Sequence, residues 1–308
     1  MRAVVYDAHG GPEMLRIADV PEPTVGPDSV LVRVRAAAVN PVDWKIREGR
    51  MDGLLDVFFP AIPGWDVAGV VERPGVAAPE FAPGDEVVGY VREDVVRRGT
   101  FAEQVAAPVR TLGRKPAGLS WVQAAGLPLA GLTAYQALVH VLRVGGGDTV
   151  LVHAASGGVG AMAVQIAAAR GARVIGTASP RNHGRLRALG AEPVAYGDGL
   201  VERVRSVAPG GVTAVLDLVG GAAPATTSEV AAPGVRLVSV VDPRVAEYGG
   251  RYLFVRPDRA DLAALGELAD AGKLTVEVAR TFPLERAADA YRFAERGHTG
   301  GKVVVEVE

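Results

Sequence analysis

His153-Ala154-Ala155-Ser156-Gly157-Gly158-Val159-Gly160-Ala161 is the stretch on which the fold turns. It follows Thr149-Val150-Leu151-Val152-His153, which reads as a buried strand, and it opens an apolar helix over residues 161–170. In that setting a glycine cluster is the phosphate-binding turn of a dinucleotide site. Gly157 and Gly158, with Ser156 before them and Val159 after, permit a tight turn and close backbone approach to a pyrophosphate. Gly160 lets the helix pack close to the strand. The start of the helix then turns its free N–H groups toward the anion. Glycines that only turn the chain are the plainer reading, and the strand, helix and second strand in register weigh against it. His153 is read as a packed, hydrogen-bonded strand-end residue and not as a catalytic group.

The next strand, Arg173-Val174-Ile175-Gly176-Thr177, runs into Ala178-Ser179-Pro180-Arg181-Asn182. A site that prefers NAD usually carries an Asp or Glu here for the ribose hydroxyls. This stretch has no acid. Ser179, Arg181 and Asn182 offer a hydroxyl, a guanidinium and an amide to a 2′-phosphate instead. NADPH is therefore the expected cofactor, the alternative being that Arg181 is a solvated charge. Residues 193–196, 214–218 and 235–240 supply further apolar strands alternating with helices, the pattern of a parallel sheet covered on both faces.

Ahead of this region, Ser120 is placed to cap a helix beginning at Trp121, and a second helix is expected over residues 131–142. The first third holds short strands broken by Gly and Pro, among them residues 30–36, 67–72 and 86–90, which suggests a rolled-up β structure. At the other end, residues 274–281 are strand-like, 284–294 form an amphipathic helix and 302–307 a terminal strand. That tail is expected to rejoin the first β region. The expected organisation is thus a β-rich domain over 1–120, a nucleotide-binding domain over 121–270, and a return to the first domain over 271–308.

Of the 308 residues, 49% are apolar and 22% charged, which fits a globular chain. A net charge of −2 leaves no basic footprint for nucleic acid or anionic lipid. Cysteine is absent, which removes disulfides, thiolate nucleophiles and every cysteine-containing zinc site. The first residues read as a strand, with no apolar signal core, and no run approaches the roughly 20 apolar residues that cross a bilayer. A soluble, cytoplasmic protein with no nucleic-acid or membrane partner is expected.

Several segments, taken with the phosphate turn, resemble a known family. They are Val39-Asn40-Pro41-Val42-Asp43-Trp44-Lys45-Ile46-Arg47, Ile62-Pro63-Gly64-Trp65-Asp66-Val67-Ala68-Gly69, Leu127-Pro128-Leu129-Ala130-Gly131-Leu132-Thr133-Ala134 and Gly297-His298-Thr299-Gly300-Gly301-Lys302-Val303-Val304. The order is similar to the medium-chain dehydrogenase/reductase superfamily, and within it to the zinc-independent quinone oxidoreductases of the ζ-crystallin-like branch, plastid quinone oxidoreductase homologues and alkenal reductases. The likeness spans essentially the whole chain. It implies an α/β fold, with a Rossmann-type doubly wound parallel sheet plus a β-rich, GroES-like catalytic domain, and a homodimer built along the strand near residues 252–257. Zinc-dependent relatives carry a catalytic cysteine in the segment matching Asn40 to Asp43, and Gly-His-Glu where this chain has Gly64-Trp65-Asp66. They often add a four-cysteine lobe, which is missing between Tyr90 and Thr100. No metal is expected, so an alcohol dehydrogenase mechanism would lack its electrophile.

The activity implied is NADPH-dependent hydride transfer to a quinone or an α,β-unsaturated carbonyl. Such acceptors are already polarised, and the protein has mainly to position the nicotinamide and stabilise the oxyanion that forms. By the same resemblance Asn40 and Thr133 lie near the nicotinamide, and Tyr196 beside the adenosine. Gly220 lies where the cofactor crosses the sheet edge, Val240 and Val241 on the nicotinamide side, and Phe254 with Arg256 at the pocket. Plainer readings stand beside these: a turn residue before Pro41 for Asn40, a helix N-cap for Thr133, a pairing strand for Phe254. Lys45 or Arg47 is a candidate to stabilise an oxyanion, each otherwise a solvated charge, and no proton donor is identified. Asp43 and Asp66 are read as holding the fold through backbone hydrogen bonds. Two further functions stay open: a cofactor-binding structural or regulatory protein with little catalysis, and a biosynthetic tailoring enoyl reductase.

Overall fold

The computed structural model describes residues 1–221, 223–297 and 299–307, so His298 of the tail motif lies outside the described residues. The chain divides into two compact units. One holds Met1–Leu129, Pro257–Gly272 and the stretch from Val276 onward, and the other holds Ala130–Arg256 with Lys273–Thr275.

In the first unit the β-branched strand Ser29–Val39 is buried almost throughout and lies inside a seven-stranded sheet. From one edge the strands are Val278–Pro283, Lys302–Glu306, Ser29–Val39, Asp66–Pro74, Glu86–Tyr90 and Leu112–Arg114, and Gln104–Pro108 also pairs with Ser29–Val39. Only the first pair is parallel. The tail therefore does rejoin the N-terminal β region. Val32, Val34, Val67, Phe101, Leu112, Tyr291 and Val305 are among its core residues. Full burial of a Val, Leu or Phe side chain stabilises by about 1.5–3 kcal/mol, and that is what holds distant segments together. The register also serves the site. Val303 pairs with Val39, and Ala68 with Ala36. Asn40, Asp66 and Lys302 consequently emerge at one end of the sheet.

The second unit is a six-stranded parallel sheet in the order Ala191–Ala195, Arg173–Ala178, Thr149–Val152, Val212–Asp217, Ala231–Ser239, Arg251–Tyr252. That is third, second, first, fourth, fifth and sixth along the chain, with the reversal of direction between the first and fourth strands. Ligands of open α/β sheets bind at the carboxyl ends of strands at such a reversal.

Three features differ from expectation. The unit boundary falls inside the helix Pro128–Tyr135, and the helix Arg259–Asp270 belongs to the first unit, where Leu262 packs against Gly113 on an edge strand. The helix expected over 131–142 begins earlier and continues as the π-helical segment Gln136–Val141, with Leu142 N–H reaching the Ala137 carbonyl five residues back. The sixth strand is only two residues long, so Phe254 lies past its ladder.

Candidate cofactor and active site

The buried strand Thr149–Val152 delivers the chain to a strained turn. Ala154 adopts a left-handed φ of 50°, a conformation costing a non-glycine residue about 1–2 kcal/mol. Thr177 on the neighbouring strand holds it there, with Oγ1 accepting from Ala154 N–H at 3.0 Å and the carbonyl from Ala155 N–H at 2.9 Å. The helix Gly158–Ala169 follows. Ala161 N–H to the Gly157 carbonyl, at 2.9 Å, is the first helical bond. The N–H groups of Gly158, Val159 and Gly160 precede it, and among the described residues no side chain caps them, which leaves them for an anion. A Cβ on Gly160 would stand 2.4 Å from the Ala154 carbonyl oxygen and 2.7 Å from Ala155 Cα, so only glycine allows this approach. At Gly157 the same atom would meet only that oxygen, at 3.4 Å, and the outer face of the turn stays open to a diphosphate.

Beside the turn, Asn182 Nδ2 donates to the hydroxyls of Ser156 and Ser179, at 3.2 Å each, and Arg185 Nη1 donates to the Ser156 carbonyl at 3.3 Å. The structure therefore brings Ser156, Ser179 and Asn182 together. Arg181 is exposed on the short turn Pro180–Asn182 and forms no ion pair among the described residues. The next carboxylate along the chain, Glu192, is held by Arg173 at 2.8 Å. Tyr196 is 55% exposed just past the third strand, in a loop whose carbonyls from Ala195 to Asp198 accept from the Arg203 guanidinium.

The loops carrying Gly220, Val240 and Val241 are shaped by two buried polar residues. Asp217 accepts N–H bonds from Val219 and Gly220, at 2.9 Å each, and the Ser239 hydroxyl at 2.7 Å. Ser239 Oγ in turn accepts from the N–H groups of Val241 and Asp242. His153 lies buried near Asp217, but its Nε2 has no hydrogen-bond partner among the described residues, contrary to expectation. Burial lowers its pKa, with Asp217 opposing, so the ring is held neutral among apolar strand ends. Thr133 is buried inside the helix Pro128–Tyr135 and is not its N-cap.

In the first unit, Asn40 precedes the helix Pro41–Arg47 and is 1% exposed. Asp43 closes the start of that helix by accepting Asn40 N–H at 2.7 Å. The Asn40 amide is engaged on both sides. Its Nδ2 donates to Asp66 Oδ2 at 2.8 Å, and its Oδ1 accepts from Lys302 Nζ at 2.5 Å. Asp66 Oδ1 accepts Leu129 N–H at 2.8 Å. Asp43 and Asp66 thus do hold backbone N–H groups, as their reading anticipated. Burial raises the Asp43 carboxyl to about 8. Burial likewise raises Asp66 and lowers Lys302, each one's charge opposing the other's shift.

Lys45 is half-buried, and its ammonium has no hydrogen bond or ion pair among the described residues. Burial, and then Arg50, lower its pKa. Arg47 corrects the reading as a solvated charge. It is wholly buried, donates to the Gly10 carbonyl and to Glu295, both at 2.9 Å, and lies over the Tyr291 ring. Of the two oxyanion candidates, only Lys45 carries an unengaged cation. Sequence reasoning gave no role to Asp217, Ser239 or Lys302. Each is a polar residue at the end of an otherwise apolar strand, and that mismatch was the available signal.

Two family descriptions match this chain: an alcohol dehydrogenase GroES-like domain over residues 26–117 and a zinc-binding dehydrogenase over residues 189–305. The chain is 34% identical to the chloroplastic NADPH-dependent alkenal/one oxidoreductase of Arabidopsis thaliana, over 99% of this chain and 79% of that protein. A solved structure described as an NAD-dependent alcohol dehydrogenase is similar at 36% identity and a TM-score of 0.91, over the whole of both chains. The quinone oxidoreductase from Coxiella burnetii is similar at 35% identity and a TM-score of 0.88, over 100% of this chain and 99% of that one.

Proposed function

Because this chain belongs to the medium-chain dehydrogenase/reductase superfamily, whose members use nicotinamide dinucleotides, we propose that it is a zinc-independent, NADPH-dependent reductase of quinones or α,β-unsaturated carbonyls. What carries this reading is the open phosphate turn beside an acid-free strand end bearing an unpaired arginine, in a chain similar to an NADPH-dependent alkenal/one oxidoreductase. The N–H groups of residues 158–160 bind the diphosphate, while Ser179, Arg181 and Asn182 hold the 2′-phosphate. Tyr196 packs beside the adenine. Gly220, Val240, Val241, Phe254 and Thr133 position the nicotinamide end. The bound cofactor supplies a hydride. Lys45 stabilises the negative charge that develops on the acceptor oxygen, and Asn40, its amide held by Asp66 and Lys302, fixes the strand end and helix start that border the reacting groups.

Zinc independence is supported by the donor chemistry. The segment Asn40 to Asp43 holds no cysteine and Gly64-Trp65-Asp66 no histidine where the zinc-using members carry them, and no group of three or more His, Cys, Asp or Glu side chains among the described residues is arranged to hold a metal ion. No helix among the described residues is long and apolar enough to cross a membrane. We place the working enzyme in the cytoplasm as a homodimer joined along the exposed two-residue edge strand Arg251–Tyr252.

The test follows loss of NADPH absorbance with a panel of ortho-quinones and enones, with and without a chelator. Turnover that the chelator leaves unchanged is expected. Failure with both classes overturns the reading. Chelator-sensitive oxidation of alcohols with NAD would instead align the chain with the similar NAD-dependent alcohol dehydrogenase.

A further inference from the structure

We propose that Lys302 is a positioning residue: its buried ammonium acts as a fixed internal cation that locks the Asn40 amide in one orientation for hydride transfer. The inference rests on the reductase reading and on Asn40 acting at the reacting centre. Lys302 is 6% exposed, Asp66 0% and Asn40 1%. The ammonium lies 2.5 Å from Asn40 Oδ1, 3.4 Å from the Val39 carbonyl and 3.6 Å from Asp66 Oδ2. Asn40 therefore sits between a cation on its oxygen side and a carboxylate on its nitrogen side. A flipped amide would set Nδ2 against the ammonium and Oδ1 against the carboxylate, two repulsive contacts in a region of low dielectric.

A second observation shows room set aside for this lysine. The helix Trp121–Gly126 ends at Gly126, where a Cβ would come within 3.1 Å of Lys302 Cγ and 2.9 Å of Val276 Cγ1. The side-chain stem occupies space that any other residue at position 126 would claim. A buried ion pair is a poor source of stability compared with apolar residues of equal volume, and specification of a unique arrangement is the better-attested use. Here the arrangement specified is that of one amide.

The test compares the full-length enzyme with Lys302→Met, Lys302→Arg and Lys302→Ala, reading turnover, NADPH affinity and the primary isotope effect with deuterated NADPH. For Lys302→Met, kcat is expected to fall by about 10²-fold, the scale that a misplacement near 1 Å costs. NADPH affinity should stay unchanged and the isotope effect should rise as hydride transfer becomes limiting. Lys302→Arg should recover part of the loss, and n-propylamine, which replaces the missing stem and ammonium, should restore Lys302→Ala in proportion to its concentration. A lysine that only supports folding would lower the folded fraction without moving the isotope effect and without amine rescue, and that result overturns the proposal. So does Lys302→Met with wild-type kcat. If the wild type itself turns over no acceptor, the reductase reading fails.

Discussion

At the scale of single residues, Arg181 and Gly160 carry separable demands. The Arg181 guanidinium is exposed and free of ion pairs among the described residues, so its removal should leave stability almost untouched. Arg181→Ala is expected to weaken NADPH by about 1.5–3 kcal/mol, the worth of charge-assisted hydrogen bonds, and NADH scarcely at all. Fluorescence titration with both cofactors checks this, and equal losses would remove Arg181 from the site. Gly160 has no such freedom, because the atoms a methyl group would strike are backbone. Gly160→Ala should cost about 1–3 kcal/mol of stability through overpacking, and should lower affinity for both dinucleotides alike, as read by denaturant melts and the same titration.

At the scale of elements, legibility followed locality. The helix starting at Trp121 was readable because its signal is contained in four residues. Gln123 N–H reaches Ser120 Oγ, and Ser120 N–H reaches Gln123 Oε1 at 3.1 Å. Ser120→Ala should therefore cost about 0.5–2 kcal/mol in a urea melt. The strands around the phosphate turn were equally plain, since apolar runs buried on both faces need no partner to be recognised. The helix Pro41–Arg47 is harder to see in the sequence, because the residues that form its start, Asn40, Pro41 and Asp43, fit a turn or a polar site equally well. The helix Arg259–Asp270 belongs to the first unit through Leu262, a tertiary contact that no local pattern encodes. Of the site, the cofactor half was written in adjacent residues. The Asn40–Asp66–Lys302 cluster comes from three strands far apart in sequence, and only the sheet register joins them.

At the scale of the whole molecule, a buried group in each unit makes stability depend on pH, and the two act in opposite directions. Asp43 in the folded first unit titrates at about 8, far above its ordinary value near 3.8. As pH rises from about 4, the unfolded chain gives up that proton while the folded one keeps it. The associated stability is complete below about 4 and is lost as pH climbs through about 8. His153 in the second unit is held neutral below its ordinary pKa of 6.5. As pH falls through 6.5 the unfolded chain takes up the proton first, and stability declines there. The two windows overlap between about 4 and 6.5, where their slopes oppose, so urea melts of single variants separate them. Asp43→Asn is expected to flatten the decline up to about pH 8, and His153→Asn the decline below pH 6.5.

On the ribosome, the two halves must mature in the reverse of their order of translation. The second unit is continuous apart from Lys273–Thr275, so it has nearly all its parts soon after Arg256 is made. The Ala36–Val39 end of the strand Ser29–Val39, synthesised early, waits for Lys302–Glu306 to pair with it, while Gln104–Pro108 already covers Ser29–Arg33. Until then it offers a bare row of backbone donors and acceptors, which is where nascent chains aggregate or recruit chaperones. A polypeptide stalled short of Lys302 would thus hold nearly every residue of one unit while the other lacked a strand of its sheet.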